Sequence, residues 1–258
     1  MRRGETLALL QKELYEIFRS PALLASMASL PLTTVAVPLA VASYLVRAAP
    51  EATVAFLAET YQIVAPSPRL ALTEAVATLW LPIFLIMPVF IPILIAAQSV
   101  AGERERGTLE ALLAAPISTL SVVLAKSLAA VTPAVAITWA AALAFRLGLG
   151  ALGGPGSEAA FGADWWLAIG AVAPLLATFG NTLAVLISIR LADARAAQNF
   201  AAMSVVPIVG LVVARLAGGV EGGPWLYGLW ALALIPTDLA LIVLAARAFS
   251  RERLLTRA

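Results

Sequence analysis

The chain has 258 residues, of which 62% are hydrophobic and only 12% are charged. Soluble domains carry about 25% charged residues, so this composition excludes a water-soluble globular protein and indicates an integral membrane protein. A net charge of +2 without any basic run excludes nucleic-acid binding. Because the chain contains neither cysteine nor histidine, we expect no disulfide, no thiol chemistry and no transition-metal site.

The first 22 residues have the pattern of an amphipathic helix, here named the elbow helix. Apolar side chains recur at helical spacing on one side, and charged side chains line the other. The apolar positions are Leu7, Leu10, Leu14, Ile17 and Phe18, and the charged ones are Lys12, Glu16 and Arg19. This pattern predicts a helix lying in the membrane interface. Ser20 and Pro21 then suit the cap and first turn of a membrane span.

Long apolar runs predict an all-α membrane domain over residues 23–246, since about 20 apolar residues cross a bilayer. Six spans are expected, at 23–46, 79–101, 122–145, 165–189, 200–216 and 226–246. The fifth is the shortest. The first two spans are joined by an outer segment, residues 47–78, and residues 247–258 form a tail.

The distribution of lysine and arginine predicts the orientation of these spans. Thirteen of the 17 basic residues lie on the side of the N-terminus, and Arg47, Arg69, Arg146 and Arg215 lie on the other. Because basic residues concentrate on the cytoplasmic side of membrane proteins, both termini are predicted to be cytoplasmic, in the cell (inner) membrane. Tryptophans near the opposite span ends agree with this orientation.

A charged loop, residues 102–118, separates the second and third spans. Gly107 ends its charged turn, Thr108 can cap a new helix and Pro116 stops it, which predicts a short surface helix over 109–115. The positions expected to contact a partner in water are Glu103, Arg104, Glu105, Arg106, Gly107, Thr108, Leu109 and Glu110.

The chain resembles the ABC-2 type permeases, the membrane subunits of ABC exporters. The resemblance rests on the segments KELYEIFRSP and ERERGTLEALLAAPIS and on their positions relative to the spans. The resemblance implies that the charged loop is a coupling helix that inserts into a separate ATPase subunit. It implies that ATP and magnesium are bound by that subunit and that this chain binds no cofactor. Neither lysine of the chain lies in a phosphate-binding Gly-Lys motif, which agrees with a separate ATPase.

Few polar side chains fall within the predicted spans. Asp238 is the only ionisable one deep in a span, where a charge costs about 2.5–3.5 kcal/mol. The uncharged candidates are Asn181, Thr178 and Gln98. These four either line a substrate path or join helices within the core of a dimer.

Three classes of function remain to be compared. An ion-coupled secondary transporter would show more intramembrane acids, and a membrane-embedded enzyme would need a catalytic set that is not found; no catalytic residue is expected. The pattern favours a permease that works in the lipid membrane as a homodimer or with a similar permease, since six helices alone form a poor conduit.

The unequal distribution of lysine and arginine across the membrane predicts which positions a thiol reagent can reach from outside. Single cysteines at Ser67, Ser157 and Gly222 should react with an impermeant thiol reagent added outside intact cells. Cysteines at Thr108, Ala194 and Thr256 should react only after the membrane is opened. The native chain has no cysteine, so background labelling is absent. Labelling of Thr108→Cys from outside would overturn the orientation.

Overall fold

The computed structural model describes residues 3–48, 50–60, 63, 65–105, 119–190, 194–216 and 223–248. Within these ranges the chain is helical and contains no strand. The α-helices are α1 (Arg3–Arg19), α2 (Pro21–Ala48), α3 (Glu51–Thr60), α4 (Pro68–Phe84), α5 (Ile86–Glu105), α6 (Thr119–Gly153), α7 (Ala163–Leu167), α8 (Ala173–Arg190), α9 (Ala194–Ala202), α10 (Val206–Leu216) and α11 (Pro224–Ala248). Short 3₁₀ turns cover Ser157–Ala160 and Met203–Val205, and a π-turn covers Ala168–Val172.

Five helical segments are long and apolar enough to cross a membrane, which makes the chain a multi-pass membrane protein. They are Pro21–Ala48, Pro68–Ala96, Ser121–Gly153, Ala163–Ser188 and Pro224–Ala248. The region of the predicted fifth span differs, because α9 and α10 are separated by a 3₁₀ turn and their apolar stretch, Gln198–Ala214, is shorter. The five long segments alone do not reach the predicted count of six.

Two Ser-Pro pairs begin membrane helices in the same way. The Ser20 hydroxyl accepts a hydrogen bond from the Leu23 N–H at 3.4 Å, and the Ser67 hydroxyl accepts one from the Leu70 N–H at 3.3 Å. Proline follows each serine, at a position whose N–H has no partner in a helix anyway. The predicted cap at Ser20 is therefore confirmed.

The second membrane segment consists of two helices, α4 and α5, that meet at Leu85. Pro82 and Pro88 flank this residue. Pro88 has no N–H to donate to the Phe84 carbonyl, so the regular helix cannot continue through this point. At the end of α4 the Leu85 N–H donates to the Pro82 carbonyl at 3.2 Å, which tightens the last turn of this helix. The proline-rich sequence thus breaks the regular helix at Leu85, within a single membrane-spanning segment.

The centre of the bundle is the contact between α5 and α8, the most extensive helix–helix contact within the described ranges. Small side chains line the α8 face of this contact. They are Ala173, Ala177, Gly180, Ala184 and Ser188, all buried. A Cβ atom built on Gly180 would lie 2.6 Å from the Val89 carbonyl oxygen. Small residues allow such close backbone approach in membranes, where packing replaces the hydrophobic drive between helices.

The outer helices α2 and α11 bury only one narrow stripe each. In the membrane-spanning part of α11 only 11% of residues are buried, against 72% for the segment formed by α4 and α5. Its buried positions are Leu226, Tyr227, Asp238 and Ala245. Large apolar side chains such as Leu232 and Leu239 are exposed on the remaining face. These faces suit contact with lipid or another membrane helix.

The half of the bundle remote from α1, here named the far end, contains a buried aromatic cluster. Phe84, Phe145, Phe161 and Trp165 are buried, with neighbouring ring centroids 4.9 to 6.2 Å apart. Such ring pairs add to the stabilisation from burial alone. The cluster joins α4, α6 and α7 at this end.

Ser157, one of the labelling positions, is buried at the far end, and its hydroxyl donates to the Gly150 carbonyl at 3.5 Å. Ala159 in the same turn is exposed and is the better site for a cysteine. Of the other labelling positions, Thr108, Gly222 and Thr256 lie outside the described residues.

The contact at Gly180 yields a stability prediction. Gly180→Ala should lower the melting temperature of the purified protein, because its methyl group meets backbone atoms of α5; overpacking of this kind costs about 1–3 kcal/mol. Gly228→Ala in α11 is the matched control, since a Cβ there meets no atom within 4 Å. Equal melting temperatures for the two variants would contradict the close packing of α5 on α8.

Candidate functional site

The charged loop connects α5 to α6. Its first acids, Glu103 and Glu105, and Arg104 between them lie in the last turns of α5, which ends at Glu105. Residues 106–118 lie outside the described residues, among them Arg106, Gly107, Thr108, Leu109 and Glu110. The predicted contact role of these residues stays a prediction. The helix that enters the loop is α5, the same helix that forms the central contact with α8.

A buried ion pair joins the elbow helix α1 to α6 close to this loop. The Lys126 ammonium nitrogen lies 3.0 Å from Oε1 of Glu13, and the side chains are only 3% and 5% exposed. Lys12 also reaches Glu13 Oε1, at 3.3 Å, and pairs with Glu16 at 3.1 Å. Removing two charges from water is costly, so a buried pair of this kind persists only with close mutual contact. It fixes α1 against the first turns of α6.

Sequence reasoning missed this pair, although both of its members carried a signal. Glu13 falls between Leu9 and Ile17 at four-residue spacing, and all three are buried. Lys126 stands within an otherwise apolar run. An acid on the bundle-facing stripe of one helix and a base within an apolar run indicate a possible pairing. Which two helices pack together is not readable from either pattern.

The bundle-facing side of α1 agrees in part with the predicted apolar stripe. Of that stripe, Leu10, Leu14 and Ile17 pack against the bundle, whereas Leu7 and Phe18 are exposed. Leu9 and Glu13 are also buried on the bundle side. Lys12, Glu16 and Arg19 are exposed on the polar side, as expected. The elbow helix therefore has a bundle face and separate exposed apolar positions suited to lipid. Glu13 can lie on the bundle face because Lys126, a residue distant in sequence, pairs with it.

Asp238 and Asn181 are buried polar groups on two helices in contact, α11 and α8. Neither oxygen of the Asp238 carboxylate and neither polar atom of the Asn181 amide has a hydrogen-bond partner among the described residues. A buried polar group without a partner costs free energy, and such groups in membrane helices commonly mark paths for substrate, ions or water. These two are therefore the strongest candidates for a functional site within the bundle.

The other two candidate residues differ from this pair. The Thr178 hydroxyl donates to the Pro174 carbonyl of its own helix at 3.0 Å, which accounts for its burial without any ligand. Gln98 lies in α5, with its side chain outside the described part of the structure. The structure thus places Asp238, Asn181 and Thr178 on the adjoining helices α8 and α11, and Gln98 on the central helix.

A comparison with protein families gives one match, which covers most of the chain. The family described as ABC-2 family transporter protein matches residues 7–224, from the elbow helix to the first residue of α11. No curated protein matches the chain. The matched range includes α1, both helices that flank the charged loop, and the central α5–α8 contact. The chain therefore belongs to the ABC-2 family of membrane transporter proteins.

Proposed function

We propose that this chain is the permease subunit of an ATP-driven exporter in the cell membrane. The observation that carries the proposal is the position of the charged loop, which joins the most buried segment of a chain of the ABC-2 family directly to α6. A separate ATPase subunit binds ATP and magnesium and contacts this loop. The permease itself binds no cofactor and performs no hydrolysis.

Movement of the charged loop has two routes into the bundle. The first runs along α5 to α8, because these helices are in close backbone contact at Gly180. The second runs along α6 to the elbow helix, because Lys126 and Glu13 hold α6 and α1 together. A shift of the loop would thus move the core and the membrane-surface helix at the same time.

The ion pair also supports the proposed orientation. Glu13 is near the N-terminus, and Lys126 lies in the first turns of α6, just after the charged loop. Their contact puts the N-terminal helix and the start of α6 at one end of the bundle. If the N-terminus is cytoplasmic, the charged loop is therefore cytoplasmic too, on the side where an ATPase subunit would be available.

The transport path is proposed to form between two copies of the chain or between the chain and a similar permease. The exposed apolar faces of α2 and α11 offer the surface for such pairing. Asp238, on the buried side of α11, and Asn181, on the neighbouring α8, would line the path or hold its helices. Export is the direction implied by the resemblance to exporter permeases.

An ion-coupled secondary transporter is the second candidate, favoured by the Asp238 carboxyl, which has no hydrogen-bond partner in the described part of the chain. A carboxylate buried in a membrane helix can carry a proton between the two sides. Transport that continues after ATP depletion but stops when the proton gradient is collapsed would support this alternative.

The charged loop supplies the principal functional test. Replacing Glu103, Glu105 and Glu110 together by alanine should abolish copurification of the ATPase subunit or reduce its ATP hydrolysis at least tenfold. Membrane insertion should be unchanged, because the loop lies outside the spans. Replacement of the exposed Gln11 and Glu16 on the elbow helix by alanine is the control. Normal copurification and hydrolysis in the triple variant would refute the proposal.

A second test concerns the buried ion pair. Lys126→Met should lower the melting temperature, because it removes the closest cation from the buried Glu13 carboxylate; breaking a buried pair costs about 3–5 kcal/mol. The double variant Glu13→Leu with Lys126→Met should recover most of the loss, since no buried charge remains at either position. Lys12→Met, at a largely exposed position, should have little effect. A double variant as unstable as Lys126→Met would show that the pair does not act as described.

A further inference from the structure

A groove at the far end lies between α6 and the start of the fourth membrane segment. It is open to the outside of the bundle. It encloses a cavity of about 310 Å³ with almost entirely apolar walls. Three of its lining side chains, Trp139, Leu143 and Trp166, are 49 to 63% exposed. In a membrane-spanning chain this exposed side faces lipid. The groove lies outside the charged loop and outside the Asp238 region.

The π-turn explains why the groove has a fixed shape. Within it the Ala173 N–H donates to the Ala168 carbonyl, one residue further back than in an α-helix. Pro174 has no N–H, so it cannot supply the corresponding bond to the Ile169 carbonyl. The Trp139 indole N–H donates to that carbonyl at 2.9 Å instead. The bond satisfies a backbone group in a region without water and holds the Trp139 ring in the wall of the groove.

Arg146 is the cationic side chain in this wall. Its guanidinium carbon lies 5.3 Å from the Trp166 ring centroid and 5.8 Å from that of Phe161. Within the described ranges no carboxylate forms an ion pair with it. Of the acids on the loop that follows α6, Glu158 accepts from the Gly156 N–H at 3.1 Å, and Asp164 lies in the first turn of α7. A guanidinium stacked on rings keeps the N–H groups at its edge available for an anion.

The depth of Arg146 matches the headgroup level of a bilayer. Helix α6 has 35 residues, which gives a length of about 52 Å against about 30 Å of hydrocarbon. Arg146 lies roughly 40 Å along α6 from Thr119. With the hydrocarbon centred on α6, Arg146 lies at its edge, where phosphate groups are found, and the apolar walls extend from it toward the membrane interior.

We propose that this groove binds one anionic phospholipid, with an acyl chain along Trp139, Leu143 and Gly170 and the phosphate on Arg146. The guanidinium of Arg146 can form paired hydrogen bonds with phosphate oxygens, and its positive charge favours a headgroup with a net negative charge over a zwitterionic one. The apolar walls select a ligand with a hydrocarbon chain. Gly170 leaves space for that chain, because a Cβ at this position meets no atom within 4 Å. The surrounding membrane supplies the ligand directly.

The experiment measures binding of two lipids with identical acyl chains, phosphatidylglycerol and phosphatidylcholine, to the purified full chain by native mass spectrometry. The wild type should bind phosphatidylglycerol more tightly. Arg146→Gln should weaken binding of phosphatidylglycerol about tenfold and binding of phosphatidylcholine less, because the choline cation already offsets part of the attraction between that lipid's phosphate and Arg146. Gly170→Leu should weaken binding of both lipids by filling the groove.

Matched controls are Arg47→Gln, an exposed arginine at the end of α2, and Gly228→Leu, a glycine with open space on α11. Both should bind the two lipids as the wild type does. If Arg146→Gln fails to fold, Arg146→Met also removes the charge, and it should show the same reduced preference. Three results would overturn the proposal: equal binding of both lipids by the wild type, an unchanged preference in the Arg146 variants, or full displacement of phosphatidylglycerol by inorganic phosphate.

Discussion

The close approach of α8 to α5 is the constraint on which the rest of the bundle depends. A glycine opposite the Val89 carbonyl and alanines on either side of it let two backbones pack almost without intervening side chains. Between membrane helices the hydrophobic effect contributes little, so packing of this kind provides the attraction. The helices around α5 and α8 can therefore each bury only a narrow stripe of side chains and expose the others. The charged loop begins at the end of α5, which connects the core of the bundle to its proposed partner.

Proline breaks the regular helix at two places, and at one of them a side chain replaces the lost hydrogen bond. Prolines interrupt the second and fourth membrane segments, and each interruption frees a carbonyl that lipid cannot satisfy. The Leu85 N–H tightens the turn between α4 and α5, and the Trp139 indole binds the Ile169 carbonyl beside the π-turn. The hydrogen bond from the Trp139 indole to the Ile169 carbonyl also shapes the groove around Arg146. One local requirement, a partner for a freed carbonyl, thus accounts for an irregular helix and for the fixed ring in the groove wall.

The sequence predicted the helical membrane class, the elbow helix and the Ser20 cap, because apolar run length, helical periodicity and capping residues are local signals. It did not predict the Glu13–Lys126 pair or the Trp139 bond to Ile169. Each of these joins segments distant in the chain, and single-helix patterns do not reveal which helices pack together. The span over residues 200–216 also depends on context, since its shorter apolar stretch follows a 3₁₀ turn. The sequence also did not predict that the Asp238 carboxyl lacks a hydrogen-bond partner within the ranges that the structure describes, because its neighbours come from other helices.

In the proposed mechanism, force enters the permease at the charged loop and passes through α5 into the core. The most direct measurement is site-specific photocrosslinking from a reactive residue placed at Leu109 in intact cells. We predict a covalent adduct with an ATP-binding subunit that carries a phosphate-binding loop, and no such adduct from the same reactive residue at Ala159 on the far end. Equal crosslinking from both positions, or adducts of the Leu109 probe with lipid alone, would contradict it.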